Sequence, residues 1–179
     1  MLDALAREPA ARVVLVVSNR ADAGALERAR RAGVPAHVLT DPTDAAELQA
    51  ALEAAGAGLV VLAGYLKKVP RAVVARFRHR MINIHPAPLP QFGGPGMYGH
   101  RVHAAVLASG VAASAVTIHY VDEEYDRGPI IAQRPVPVAP GDTADTLAAR
   151  VLAVEHQLLP AVVVELARRG VPDKPVRME

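Results

Sequence analysis

Met81-Ile-Asn-Ile-His-Pro-Ala-Pro-Leu-Pro90 opens as a five-residue alternation and ends on three prolines. Successive side chains of a strand point to opposite faces, so Asn83 and His85 share one side while Ile82 and Ile84 take the other. Pro86, Pro88 and Pro90 have no N–H to extend a ladder, which puts the two polar residues at the carboxyl end of their strand. Open α/β sheets bind ligands at that end.

On both sides of this stretch, strand and helix signals alternate. That pattern predicts an α/β fold with a doubly wound, mostly parallel sheet, in one domain over residues 1–179. Val13 to Val17 reads as a buried strand, followed by a helix capped by Asp22 and stopped at Gly33. A short strand from Pro35 to Leu39, a helix from Asp44 to Ala55 and a second buried strand from Leu59 to Leu62 come next. Pro70 suits the first turn of a helix that carries Val73, Val74 and Phe77 inward. Residues 86–99 hold four Gly and four Pro and read as a functional loop. A helix from about Gly99 to Ser109, strands Ser114 to Val121 and Ile130 to Val138, and a last helix capped by Asp142 complete the pattern.

With 51% hydrophobic residues, 179 residues can bury one sizeable core. No uninterrupted apolar run reaches bilayer length and no signal-peptide pattern opens the chain. The absence of cysteine fits a reducing compartment, and the expectation is a cytoplasmic protein. Arginines scattered along helices give a net charge of only +2, and aromatics at 3% leave few platforms for stacking bases. Small-molecule substrates, with no nucleic acid and no membrane, are expected for a monomer or homodimer. His37, His79, His100 and His103 read as surface or loop residues, and His100-x-x-His103 lacks a third ligand for a metal.

An Asn amide and a protonatable His are both hydrogen-bond donors, suited to the oxyanion of a tetrahedral acyl-transfer intermediate. Asp126, in Val121-Asp-Glu-Glu-Tyr-Asp-Arg-Gly-Pro-Ile130, is the acid that could orient the imidazole. No Cys and no Gly-x-Ser-x-Gly turn is present, which favours direct attack by an amine or water over a covalent acyl-enzyme.

Eight segments in order along nearly the whole chain resemble the folate-dependent formyltransferases. They are Ser18-Asn-Arg-Ala-Asp22, Leu26-Glu-Arg-Ala29, Val60-Val-Leu-Ala-Gly-Tyr65, Ile82-Asn-Ile-His-Pro86, Thr117-Ile-His-Tyr-Val121, Asp126-Arg-Gly-Pro-Ile130, Gly141-Asp-Thr143 and Glu155-His156. The first, third and last narrow the resemblance to the purine-biosynthesis branch. It implies transfer of a formyl group from the co-substrate 10-formyltetrahydrofolate to the amine of glycinamide ribonucleotide, without a metal. Asn83 and His85 would stabilise the oxyanion and Asp126 would position His85 and help move the proton. Tyr65, Leu66, Lys67, Lys68, Val69, Met81, Val121 and Tyr125 would hold the folate. Gly64, Ile84, Pro86, His119 and Glu155 would lie against the ribonucleotide, Glu155 on its ribose hydroxyls. Lys68 and Leu152 depart from residues common in the family. The family's first strand and its phosphate-holding glycine-serine-asparagine loop have no counterpart, because Met1-Leu-Asp-Ala-Leu5 matches the helix after that loop; the chain is expected to be N-terminally truncated relative to the family. A formyltetrahydrofolate hydrolase, a methionyl-tRNA formyltransferase and a non-catalytic folate-binding remnant are the alternatives.

Overall fold

The computed structural model describes residues 1–170 and 174–178. A short helix, α1 (Leu2–Leu5), leads to β1 (Val16–Ser18), α2 (Gly24–Arg31), β2 (Ala36–Val38), α3 (Ala45–Ala54), β3 (Val60–Leu62) and α4 (Arg71–Arg76). Then follow β4 (Met81–His85), α5 (His100–Ala108), β5 (Ala113–Tyr120), β6 (Ile130–Pro137) and α6 (Ala144–Arg168). The strands form two sheets, β1-β2 and β3-β4-β5-β6. β1 runs parallel to β2 and β3 parallel to β4, whereas β4–β5 and β5–β6 are antiparallel. The β5–β6 connection, residues 121–129, is too short for the crossover that a parallel pair needs.

The alternation read in β4 is what layers the molecule. Ile82 packs in a core with Val102 and Val106 of α5, Ile118 of β5, and Leu147 and Val151 of α6. Met81 instead joins Leu48 and Leu52 of α3 and Val73 and Val74 of α4. One strand therefore feeds two cores, and both faces of the larger sheet are covered.

Several expectations are corrected. β1 and β3 are only half-buried, and β1 starts at Val16, because each strand pairs on one side only among the described residues. Asp22 does not cap α2: both its oxygens take the Arg20 guanidinium, at 3.0 and 2.7 Å. Asp142 is likewise held by Arg150 at 2.6 and 2.9 Å, which keeps its carboxyl well below the usual range. Thr143 caps α6 in a reciprocal pair with Thr146. Pro70 occupies the cap of α4 rather than its first turn, while Asp44 caps α3 as expected, accepting from Ala46 and Glu47 N–H. The 25 residues of α6 are long and apolar enough to cross a bilayer by composition, although no unbroken apolar run spans them. Leu147, Val151, Leu158, Leu159, Val162, Val163 and Leu166 spend that apolarity on the core.

Candidate active site

β4 presents Asn83 and His85 on one face, and the antiparallel register of β5 sets His119 opposite Asn83 and Thr117 opposite His85. Directly facing residues lie close enough for side chains to touch. Asp126 comes from the β5–β6 connection, where its backbone is left-handed at φ 57°. Asp tolerates that region better than most residues. The turn is pressed against the end of β5: any side chain at Gly128 would collide with the Tyr120 carbonyl.

His119 lies with Nε2 3.0 Å from Asn83 Nδ2 and 3.5 Å from Asp126 Oδ1, and its Nδ1 is 2.8 Å from the Tyr120 carbonyl. His85 places Nδ1 3.7 Å from Asp126 Oδ2 and Nε2 2.8 Å from the Phe92 carbonyl. A carbonyl only accepts, so His85 Nε2 carries a proton and donates it. Gly94 N–H donates to Asp126 Oδ2 at 2.9 Å. Burial pulls the His85 pKa below its ordinary 6.5, against the opposing pull of Asp126 and of the Phe92 hydrogen bond. Burial pushes Asp126 upward, but the His119 contact, the Gly94 N–H and the nearby imidazoles outweigh it, and the carboxyl sits below its ordinary value. At neutral pH the pair is thus a carboxylate facing an uncharged, proton-bearing imidazole.

The loop of residues 86–99 is tied to this cluster at both ends. Thr117 Oγ1 donates to the Ala87 carbonyl at 2.7 Å, and Gln133 Nε2 donates to Thr117 Oγ1 at 2.8 Å. Ala87, Leu89 and Phe92 are buried, so the Phe92 carbonyl and Gly94 N–H are fixed partners. Sequence reading missed both, because backbone groups leave no residue-type signal.

His103, expected at the surface, is 5% exposed on α5, where Val102 and Val106 are also buried. Its Nδ1 has no hydrogen-bond partner among the described residues, and burial, then His100 and His85, lower its pKa. These shifts give a pH prediction. His85 and His103 bind protons more weakly folded than unfolded, as Asp126 does at lower pH, so the unfolded state takes up protons first on acidification. Stability is complete above about pH 6.5 and falls as pH drops through the folded histidine pKa values, then again below the ordinary Asp range. The urea midpoint should be lower at about pH 5.5 than at about pH 7.5; equal midpoints would contradict the burial argument.

The residues expected at the folate divide by exposure. Leu66 is 59% exposed, Lys67 and Lys68 are exposed, and Val69 is buried. Lys68 Nζ lies 5.7 Å from the centre of the Tyr125 ring, which joins the two expected folate segments. The Tyr65 hydroxyl is buried without a hydrogen-bond partner among the described residues, and burial, then Tyr125, raises its pKa. A buried donor left without a partner, beside a cation–π pair, suits a flat heterocycle with polar groups, so these residues fit a pterin. Val121 packs against the α3–α4 core, and its N–H donates to the Met81 carbonyl at 2.9 Å. Met81 itself is 1% exposed, and its side chain belongs to that core rather than to an open slot.

Among the expected substrate contacts, Gly64 is exposed at φ 70° and Pro86 is half-buried. Ile84 turns its side chain to the α5–α6 core, away from the cluster. Glu155 is half-buried on α6, has no hydrogen bond or ion pair among the described residues, and burial raises its pKa. A carboxylate so placed is free for a hydroxyl-bearing ligand. A cavity of about 670 Å³ lies elsewhere, between Val13 to Leu15, Val34 to His37 and Ala51 to Ala55, and contains none of the catalytic side chains. No group of three or more acidic, His or Cys side chains among the described residues could hold a metal ion.

Known proteins carry the same fold and sequence pattern. The formyl transferase family model matches residues 1–163. Chloroplastic phosphoribosylglycinamide formyltransferase of Arabidopsis thaliana is 49% identical over 84% of this chain and 54% of its own length. The phosphoribosylglycinamide formyltransferase of Escherichia coli is 39% identical over 83% of this chain and 70% of its own. The chain therefore spans about half of the plant relative. The crystal structure of phosphoribosylglycinamide formyltransferase from Anaplasma phagocytophilum superposes with a TM-score of 0.87, with 35% identity over 97% of this chain and 83% of that one. A Rossmann-like α/β fold, an Asn and a His at the end of one strand and an Asp on the following hairpin thus coincide with the sequence match, and the chain belongs to the formyl transferase family.

Proposed function

We propose that this chain transfers the formyl group of 10-formyltetrahydrofolate to the amine of glycinamide ribonucleotide, a step of purine biosynthesis. The observation that carries this reading is the cluster of Asn83, His85, His119 and Asp126, which gathers oxyanion donors around one carboxylate. The amine nitrogen attacks the formyl carbon, and the carbonyl electron pair moves onto oxygen. An Asn83 N–H and the His85 Nε2–H stabilise that oxygen, the latter by turning from the Phe92 carbonyl. Collapse of the intermediate breaks the bond from carbon to N10 of the folate. Asp126 takes the proton shed by the amine and returns it to that leaving nitrogen. Tyr65, Lys68 and Tyr125 would hold the pterin end of the co-substrate, and Glu155 the ribose hydroxyls of the acceptor.

The division of the sheet supports a second element of the proposal. An apolar strand between β1 and β3, followed by a glycine-rich turn whose N–H groups cradle a phosphate, would complete the acceptor side. We place the protein in the cytoplasm on its lack of cysteine, a compartment that the chloroplastic plant relative does not share.

Formyl transfer measured with and without such a strand-and-turn segment tests the reading. Transfer to glycinamide ribonucleotide is expected, and is expected to be faster when the segment is present. Release of formate without any acceptor would favour the hydrolase instead. Glu155→Gln should raise the KM for the ribonucleotide about 10-fold or more with kcat little changed, as loss of a charged hydrogen bond of uniform binding does. An unchanged KM would remove Glu155 from the acceptor site.

A further inference from the structure

His119 sits between two groups that make opposite demands on one nitrogen. Its Nε2 is 3.0 Å from the Asn83 amide nitrogen, which can only donate, and 3.5 Å from Asp126 Oδ1, which as a carboxylate can only accept. A lone pair at Nε2 satisfies Asn83, whereas a proton there satisfies Asp126. The other ring nitrogen decides between them. Nδ1 is 2.8 Å from the Tyr120 carbonyl and must carry a proton to make that bond. An uncharged imidazole has only one N–H, so Nε2 is left as an acceptor. The shorter contact, to Asn83, agrees with that tautomer.

The environment leaves little freedom in this choice. His119 is 2% exposed and is paired across the strands with Asn83. The Tyr120 carbonyl is held from behind by Gly128, and Tyr120 N–H donates to the Pro129 carbonyl at 2.9 Å. Asp126 is held through its other oxygen, Oδ2, which accepts from Gly94 N–H at 2.9 Å.

We infer that His119 is a positioning residue: as the Nδ1–H tautomer imposed by the Tyr120 carbonyl, it accepts one N–H of Asn83 and fixes the amide so that its second N–H serves the oxyanion. With both ring nitrogens engaged by the protein, His119 acts through Asn83 rather than on the ribonucleotide. An amide edge free to rotate by half a turn would present oxygen and nitrogen alternately to its neighbours. The imidazole lone pair removes that ambiguity, and the oxyanion site is organised before the substrate arrives.

This inference deepens the formyl-transfer reading and rests on it for its kinetic consequence, but its structural core can be read without turnover. Nitrogen-15 NMR of the imidazoles in the full chain, with His119 assigned by its loss in His119→Gln, reports which nitrogen is protonated at neutral pH. The Nδ1–H, Nε2-unprotonated pattern is expected; an Nε2–H tautomer or an imidazolium would overturn the inference whether or not the chain is active. For kinetics, His119→Leu removes the acceptor and should lower kcat about 10- to 100-fold, with KM for 10-formyltetrahydrofolate within about 3-fold of the parent. His119→Gln keeps a carbonyl that can accept from Asn83 and should recover most of that loss. Equal impairment in both variants, or a change confined to KM, would show that the ring matters only for packing or contact. An unmodified chain without transfer activity, but with the expected tautomer, would overturn the proposed reaction and leave the Asn83–His119 arrangement standing.

Discussion

Asp126→Asn should leave the fold intact and slow formyl transfer by about 100- to 10,000-fold at saturating substrates, the range that a positioned acid–base group contributes. The fold survives because Asn tolerates the left-handed backbone at φ 57° as well as Asp does, and its amide oxygen can still accept from Gly94 N–H. What disappears is the charge and the proton shuttle. A neutral amide cannot take the proton of the attacking amine, and it no longer sets a negative charge 3.7 Å from His85. Circular dichroism and steady-state rates on the same preparation check both halves. A folded variant with near-parent kcat would exclude Asp126 from proton transfer.

The second large effect concerns stability. Gly128→Ala places a methyl against the Tyr120 carbonyl and its carbon, and neither can retreat. That carbonyl ends β5, faces Nδ1 of His119, and belongs to a residue whose N–H is bonded to Pro129. Overpacking of a fixed backbone contact costs about 3 kcal/mol or more. In a domain of this size that is a fall in Tm of about 6–12 °C. Gly58→Ala is the control, since a methyl there meets nothing within 4 Å, and its Tm should stay within about 2 °C of the parent. If the two variants melted alike, the close approach at Gly128 would be carrying no structural role. Because the displaced carbonyl also sets the His119 tautomer, any soluble Gly128→Ala protein should be slower as well as weaker.

The central strand was legible in the sequence because period two is a strong signal and proline ends it without ambiguity. Asn83 and His85 therefore emerged with the correct face and the correct end, whereas His119, expected from the resemblance to lie against the ribonucleotide, stands across the strands from Asn83. Caps were less legible. Asp22 and Asp142 have the right chemistry for helix starts, yet a nearby arginine offers each a two-pronged ion pair that the backbone N–H groups cannot match. Exposure was misjudged at His103 for a different reason: a polar residue beside Val102 on a short helix is carried inward by the turn it shares. Least legible were the Phe92 carbonyl, the Gly94 N–H and the close approach of Gly128, since these are properties of backbone paths, not of residue types.

All four side chains of the catalytic cluster, and the loop that ties it down, belong to the β3-β4-β5-β6 sheet and its connections, between Met81 and Gln133. The β1-β2 sheet supplies none of them. The catalytic cluster is thus written in one contiguous stretch of the chain, and the β1-β2 sheet can vary without touching it. A lineage can revise the first third of the sequence while the hairpins that carry the cluster stay as they are, which makes this arrangement a portable cassette within the fold.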